Sequence, residues 1–264
     1  MRVDAYVLRE GLFESPVRAP SVGACGGSIQ GLAAKARGCV LFPGGGRSAK
    51  LFGMALYHAA LPAYLDGLVP PRPLEMQRME AYARETDFPI IGPASGQVCY
   101  LIARMIGAKR VFELGSGYGY STAWFCKAVR ENGGGEVHHV VWDKTLSQKA
   151  QEHLGNLGYG DLVTYTVGEA VAVLKGTPGP FDLIFNDIDK QGYPDSLPVI
   201  ADKLRPGGVL IADNVLWSGK IFDPDETDAA TEAIREFTRM VANDPRWHAT
   251  IVPVRDGLLV AQKA

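Results

Sequence analysis

The chain has 264 residues, 47% of them apolar and 21% charged, a size and balance that suit one large α/β domain or two small ones. A net charge of −2 gives no electrostatic footing for nucleic acid or for an anionic membrane surface. No apolar run reaches the ~18 residues of a membrane span, and the charged start Met1-Arg-Val-Asp4 is unlike a signal peptide. Cys25, Cys39, Cys99 and Cys126 form no Cys-x-x-Cys pair and no metal-ligand spacing, so a reduced, soluble, cytoplasmic protein is expected.

Residues 15–65 contain no Asp or Glu, and 21–50 hold eight glycines with little periodicity. Such a stretch buries little apolar surface, so residues 1–55 are expected to be a poorly ordered or atypical extension and 56–264 the working domain. A translation start near Met54 would explain this composition equally well. The run Gly44-Gly-Gly-Arg-Ser-Ala-Lys50 lacks the Gly-Lys-Ser/Thr ending of a phosphate loop, so no phosphate site is assigned there.

Beyond residue 74 the periodicity sharpens. Helices are predicted over 74–86 and 93–106, followed by strand 109–115, helix 119–131, strand 136–142, helix 145–157 and strand 162–167. A short helix at 169–175, strand 180–187, helix 195–204, strand 207–213 and helix 227–243 continue the alternation. Thr227 is the expected cap of that last helix, with Ala230, Ile234, Phe237 and Val241 as its buried stripe. Strands 247–254 and 257–262, joined through Arg255-Asp-Gly257, read as a closing hairpin. Strict alternation implies a mostly parallel sheet covered by helices on both faces, with one antiparallel strand.

Two apolar runs end abruptly in polar groups: Phe181-Asp-Leu-Ile-Phe-Asn-Asp187 and Leu210-Ile-Ala-Asp-Asn214. Buried parallel strands read this way, and functional groups collect at their carboxyl ends. Asp187, Asp213 and Asn214 then offer three hard oxygen ligands at neighbouring strand tips, a set suited to Mg²⁺, with Ca²⁺ or Mn²⁺ as alternatives. Lys190 follows three residues after Asp187. An ammonium beside a divalent cation has its charged form disfavoured, which suits a general base. Asp189 is expected to orient Lys190 or the cofactor rather than bind metal.

Between strand 109–115 and helix 119–131 lies Glu113-Leu-Gly-Ser-Gly-Tyr-Gly-Tyr-Ser121. Gly115, Gly117 and Gly119 are spaced GxGxG, and Tyr120 occupies the place of the third glycine of a dinucleotide fingerprint, which argues against NAD or FAD. Such a turn still presents backbone N–H groups and a helix N-terminus to a ligand.

From about residue 74 onward the chain resembles the class I S-adenosylmethionine-dependent O-methyltransferases, specifically the cation-dependent caffeoyl-CoA and catechol O-methyltransferase family. The glycine loop, Asp187-Ile-Asp-Lys190 and Asp213-Asn-Val-Leu-Trp-Ser-Gly219 carry the likeness. It implies a Rossmann-like sheet of seven strands. It implies metal held by Asp187, Asp213 and Asn214, and cofactor contacts at Glu113, Gly115, Ser116, Gly117, Ser121, Ala170 and Asp187. Lys190 matches the family's proton acceptor, with Asp187 beside it in catalysis, and Ser218 lies where the family contacts substrate. The ribose position is a departure: an ungapped count from Ser121 gives Val141, and Asp143 takes the role if the Glu131–Gly135 turn holds an insertion, the reading adopted. Ile91 and Ser95 stand where plant members carry Thr and Glu.

The implied reaction is attack of a substrate oxygen on the sulfonium methyl group. A phenol ionises near ~10, and lowering that by ~3 units takes about 4 kcal/mol, within reach of a bound divalent cation. A catechol-like or phenolic small molecule is the expected acceptor and a homodimer the expected assembly, with no nucleic-acid or membrane partner. The alternatives are another small hydroxylated metabolite as acceptor, or a non-catalytic adenosylmethionine-binding protein.

Overall fold

The computed structural model describes residues His58–Ala264, so the expectations for residues 1–55, the glycine-rich run and Cys25 and Cys39 fall outside the described residues. Helices α1 (Leu61–Leu68), α2 (Leu74–Thr86) and α3 (Gly92–Met105) precede the sheet. Then follow β1 (Arg110–Leu114), α4 (Tyr120–Glu131), β2 (Glu136–Val141), α5 (Lys144–Asn156), β3 (Val163–Val167), α6 (Ala170–Gly176) and β4 (Phe181–Asn186). The chain closes through α7 (Tyr193–Lys203), β5 (Leu204–Ala212), α8 (Ala229–Asn243), β6 (Trp247–Val252) and β7 (Leu258–Lys263).

The seven strands lie in the order β3-β2-β1-β4-β5-β7-β6, and β7 alone runs against its neighbours. This is the mixed, Rossmann-like sheet expected from the alternation, with its order reversing between β1 and β4. Successive side chains of β1, β4 and β5 enter two different cores. Val111, Leu183, Phe185, Val209 and Ile211 pack with α2, α3, α4 and α5. Phe112, Leu114, Ile184, Leu210 and Ala212 pack with α6, α7 and α8. Burial of a Phe185- or Ile184-sized side chain stabilises by ~1.5–3 kcal/mol, and both are fully excluded from solvent.

Several boundaries differ from the sequence reading. Asp228, not Thr227, caps α8: its Oδ1 accepts from the Ala230 and Thr231 amides, each at 3.0 Å. Ala233 and Thr231 join the buried stripe of α8, while Ala230 is half-buried and reaches the cavity below. Strand β5 begins at Leu204, because Arg205–Gly208 forms a bulge against β4 rather than a turn. The closing strands stop at Val252 and restart at Leu258, since Pro253 has no N–H to donate and Arg255 is left-handed. Helix α1, unforeseen, buries no residue, but Asp66 Oδ1 accepts from Ala94 N at 3.0 Å and so anchors the start of α3. No helix among the described residues is long and apolar enough to cross a membrane.

Candidate active site

The carboxyl ends of β1, β2, β4 and β5 open into one cavity of about 780 Å³ at the point where the strand order reverses. On one wall the chain leaves β1 through Gly115 (φ +86°) and Gly117 (φ +51°) and enters α4 after Gly119. A Cβ on Gly115 would overlap the Asp187 carbonyl oxygen, so only glycine lets the β1 and β4 tips approach this closely. Gly115, Ser116, Gly117, Ser121, Asp143 and Ala170 all line the cavity. The Ser116 hydroxyl accepts from Val140 N at 3.0 Å and ties the loop to β2.

Glu113 lies just behind that wall, fully buried. Its Oε2 accepts from the Thr122 hydroxyl, and its Oε1 has no partner. Burial pushes its carboxyl up to about 7, against hydrogen bonds from Ser121, Thr122 and Ser116 that favour the anion. His139, paired with Glu113 across β1 and β2, lies 3.1 Å from the Thr122 hydroxyl through Nδ1, and burial holds its imidazole down at about 3, hence neutral. His139 sits behind the site rather than in it.

The opposite wall carries the acidic set. Asp187, Asp213 and Asn214 all border the cavity, with Asp187 just past β4 and Asp213 just past β5. Asp213 is 2% exposed and its Oδ1 has no partner. Burial first, then the charge of Asp187, pushes its carboxyl up to about 7, while the Asn214 amide, Lys190 and Arg255 oppose the rise. Burial also raises Asp187, with Lys190 as the main opposing charge. Lys190 Nζ donates to Asp187 Oδ1 at 2.7 Å and to the Tyr193 hydroxyl at 2.8 Å. That phenol lies 2.9 Å from Asp213 O and 3.1 Å from Asn186 O, so Tyr193 bridges both strand tips to the lysine. Tyr193, three residues after Lys190, holds the lysine, and Asp189 borders the cavity. Asp189 is exposed and makes no hydrogen bond to Lys190.

Three further expectations can be placed. Asp143 borders the cavity as the N-cap of α5, its Oδ1 accepting from Thr145 N at 2.6 Å and Leu146 N at 2.9 Å. Those amides hold its carboxyl below the usual carboxylate range. Val141 ends β2 and also borders the cavity, so the two ribose candidates stand side by side. Ser218 is exposed, left-handed (φ +52°) and outside the lining, its amide donating to Asp256 Oδ1 at 2.6 Å. Sequence reasoning did not foresee the apolar rim of Phe88, Pro89 and Ile90, nor Arg255 from the closing turn. Ile91 borders the cavity, and Ser95 is buried with its hydroxyl unpartnered.

Among the described residues no group of three or more His, Cys, Asp or Glu side chains is arranged to hold a metal ion. The donor set here is smaller and mixed: two carboxylates and one amide. Its chemistry nevertheless fits a hard cation, because Asp213 Oδ1 is buried without any hydrogen-bond donor and the neighbouring donors are all oxygens.

An O-methyltransferase family model matches residues 72–264, and the chain belongs to that family. A catechol O-methyltransferase of Niastella koreensis is 32% identical over 166 residues, 61% of this chain and 74% of that protein. A probable O-methyltransferase of Mycobacterium tuberculosis is 31% identical over 173 residues, 65% of this chain and 76% of its own. Among solved structures, the O-methyltransferase TomG of Streptomyces achromogenes, involved in tomaymycin synthesis and in complex with SAM, superposes with a TM-score of 0.70 at 27% identity. The match spans 78% of this chain and 96% of that one. The Bacillus cereus O-methyltransferase in complex with SAH gives 0.71 at 26% identity, over 78% and 97%. The protein is an S-adenosylmethionine-dependent O-methyltransferase.

Proposed function

We propose that the chain methylates a hydroxyl of a small catechol-like or phenolic molecule with the help of a divalent cation, Mg²⁺ first among candidates, held by Asp187, Asp213 and Asn214. The observation that carries the reading is the buried, unpartnered Asp213 Oδ1 at a strand tip facing the glycine loop across a single cavity. A relative that bears the name catechol O-methyltransferase supports the acceptor class. Bound there, the cation supplies Lewis acidity that makes a phenolic hydroxyl easier to ionise at neutral pH.

Everything else falls to the chain's own groups. Lys190 is held at 2.7 Å from Asp187 and 2.8 Å from Tyr193, so its nitrogen is fixed at the acidic wall, where in its neutral amine form it takes the proton of the acceptor hydroxyl. Tyr193 keeps that nitrogen in register with both strand tips. The glycine loop, Ser121 and Ala170 hold the methyl donor, with the Glu113 carboxyl buried behind them. Asp143 has one carboxylate oxygen committed to capping α5 and the second available for the ribose hydroxyls. Phe88, Pro89, Ile90 and Trp217 exclude water from the space between.

The decisive experiment is a methyl-transfer screen over catechols, simple phenols and CoA thioesters, with Mg²⁺ and with EDTA. Transfer to catechols that EDTA abolishes is the expected result. Undiminished transfer in EDTA refutes the metal mechanism, and absence of transfer to any aromatic hydroxyl moves the acceptor to another class of metabolite.

A further inference from the structure

Arg255 stands in the five-residue turn between β6 and β7 with φ +53°. A left-handed backbone is unfavourable for a side chain of this kind, and such strain persists only where the surroundings enforce it. Here they do. Val215 N donates to Gly257 O at 3.1 Å, Leu216 N to Asp256 O at 2.9 Å and Ser218 N to Asp256 Oδ1 at 2.6 Å, so the turn is fastened to the loop that follows Asp213 and Asn214. The enforced conformation sets the Arg255 side chain at the cavity wall, beside Ile90 and over Gly92. Its Nη1 donates to Ile90 O, and its other N–H groups have no hydrogen-bond partner among the described residues.

The charge pattern gives this placement a meaning. Among the described residues the cavity is bordered by the carboxylates of Asp143, Asp187, Asp189 and Asp213 and by only two cations, Lys190 and Arg255. Lys190 is paired with Asp187. Arg255 has no carboxylate within salt-bridge reach among the described residues, yet lies close enough for its charge to lower both Asp187 and Asp213. Of the two cations on this lining, Arg255 is the one not already paired with a carboxylate, so it offers an anionic acceptor an unshared positive partner. A guanidinium with free donors binds a planar two-oxygen anion through paired hydrogen bonds.

We propose that Arg255 is a specificity-determining residue that selects an acceptor bearing a carboxylate on the ring edge away from the reacting hydroxyls. The proposal rests on the reading of this cavity as the acceptor site. The carboxylate seats on Arg255 at the rim, and the adjacent hydroxyls are thereby directed toward Asp187, Asp213 and Lys190 on the floor.

The test uses calorimetry on the full chain loaded with S-adenosylhomocysteine and Mg²⁺. The probes are a dihydroxybenzoate with adjacent hydroxyls and its neutral amide, which has nearly the same shape. Wild type is expected to bind the carboxylate roughly 10–100-fold more tightly than the amide, the range for a hydrogen-bonded charged group. R255Q should lose that preference while binding the amide and S-adenosylhomocysteine as wild type does, and R255K should keep part of it. No preference in wild type overturns the proposal. So does equal weakening of both probes in R255Q, which would make Arg255 only a strap on the Ile90 segment. A preference that R255Q abolishes, alongside no methyl transfer to either probe, upholds the anion contact and refutes instead the catechol-methylation reading.

Discussion

Replacement of Asp213 by Asn tests the acidic wall through stability as well as through activity. The folded protein holds this carboxyl at about 7 instead of the ordinary 3.8, chiefly by burial. A carboxylate whose proton affinity rises on folding binds more protons folded than unfolded, so stability falls as pH climbs through that window. The full distance corresponds to about 4 kcal/mol lost by neutral pH in the metal-free protein. Asp213→Asn keeps the shape of the group and removes its charge. Urea unfolding in EDTA should therefore show wild type losing stability between about pH 4 and about pH 7, with the variant flat across this range apart from other groups. By about pH 8 the variant should be the more stable, by up to about 4 kcal/mol. Mg²⁺ should narrow that gap: at 100 times its dissociation constant a ligand adds about 2.7 kcal/mol, and only wild type should gain it. Parallel pH curves in EDTA, or equal gains with Mg²⁺, would refute the account of Asp213 as a desolvated carboxylate waiting for a cation.

Lys190→Ala should lower turnover roughly 10²–10⁴-fold, as for loss of a general base, with little change in cofactor affinity. Part of the loss should return at high pH, and a pH-independent defect in steady-state assays would argue for a purely structural lysine. Asp143→Ala would confound two roles, since the residue caps α5 and a lost cap costs ~1 kcal/mol. Asp143→Asn keeps the cap, and calorimetry should show S-adenosylmethionine binding weakened by ~1.5–3 kcal/mol; an unchanged dissociation constant assigns the ribose elsewhere. Removing residues 1–53 should leave transfer activity largely intact, because the family match begins only at residue 72. An insoluble or inactive truncated protein would show that segment to be needed.

The sheet and the acidic wall were legible for the same reason. A strand buried on both faces has to be apolar until its last residue, so the switch to Asn186-Asp187 and Asp213-Asn214 marks the tips without any alignment. The glycine loop was legible because positive φ and close approach both demand glycine. What escaped notice depends on contacts distant in sequence. Arg255 reaches Ile90 across 165 residues, and the Phe88–Ile90 rim has no periodicity of its own. Tyr193 falls just before the helix expected at 195–204, and only its hydroxyl, 2.9 Å from Asp213 O, reveals what it holds. The cap of α8 was off by one because Thr227 and Asp228 are both good caps, and local sequence alone does not say which one turns its oxygen onto the free amides.

The two walls of the cavity are mechanically joined, and that constrains how the chemistry can be tuned. Gly115 packs on the Asp187 carbonyl, and Asp187 N donates to Leu114 O at 2.8 Å, so the glycine loop and the first acidic tip share one backbone contact. Tyr193 then couples that tip to the second through Asn186 O and Asp213 O, and carries Lys190 on the same hydroxyl. Side-chain changes at Asp187, Asp213 or Lys190 can alter charge without moving this frame. The rim that carries Arg255 is attached through the β6–β7 turn, whose Gly257 and Asp256 carbonyls accept from Val215 and Leu216 N just past the second acidic tip. On the reading proposed above, a change of side chain at Arg255 alters acceptor choice while these backbone contacts stay in place.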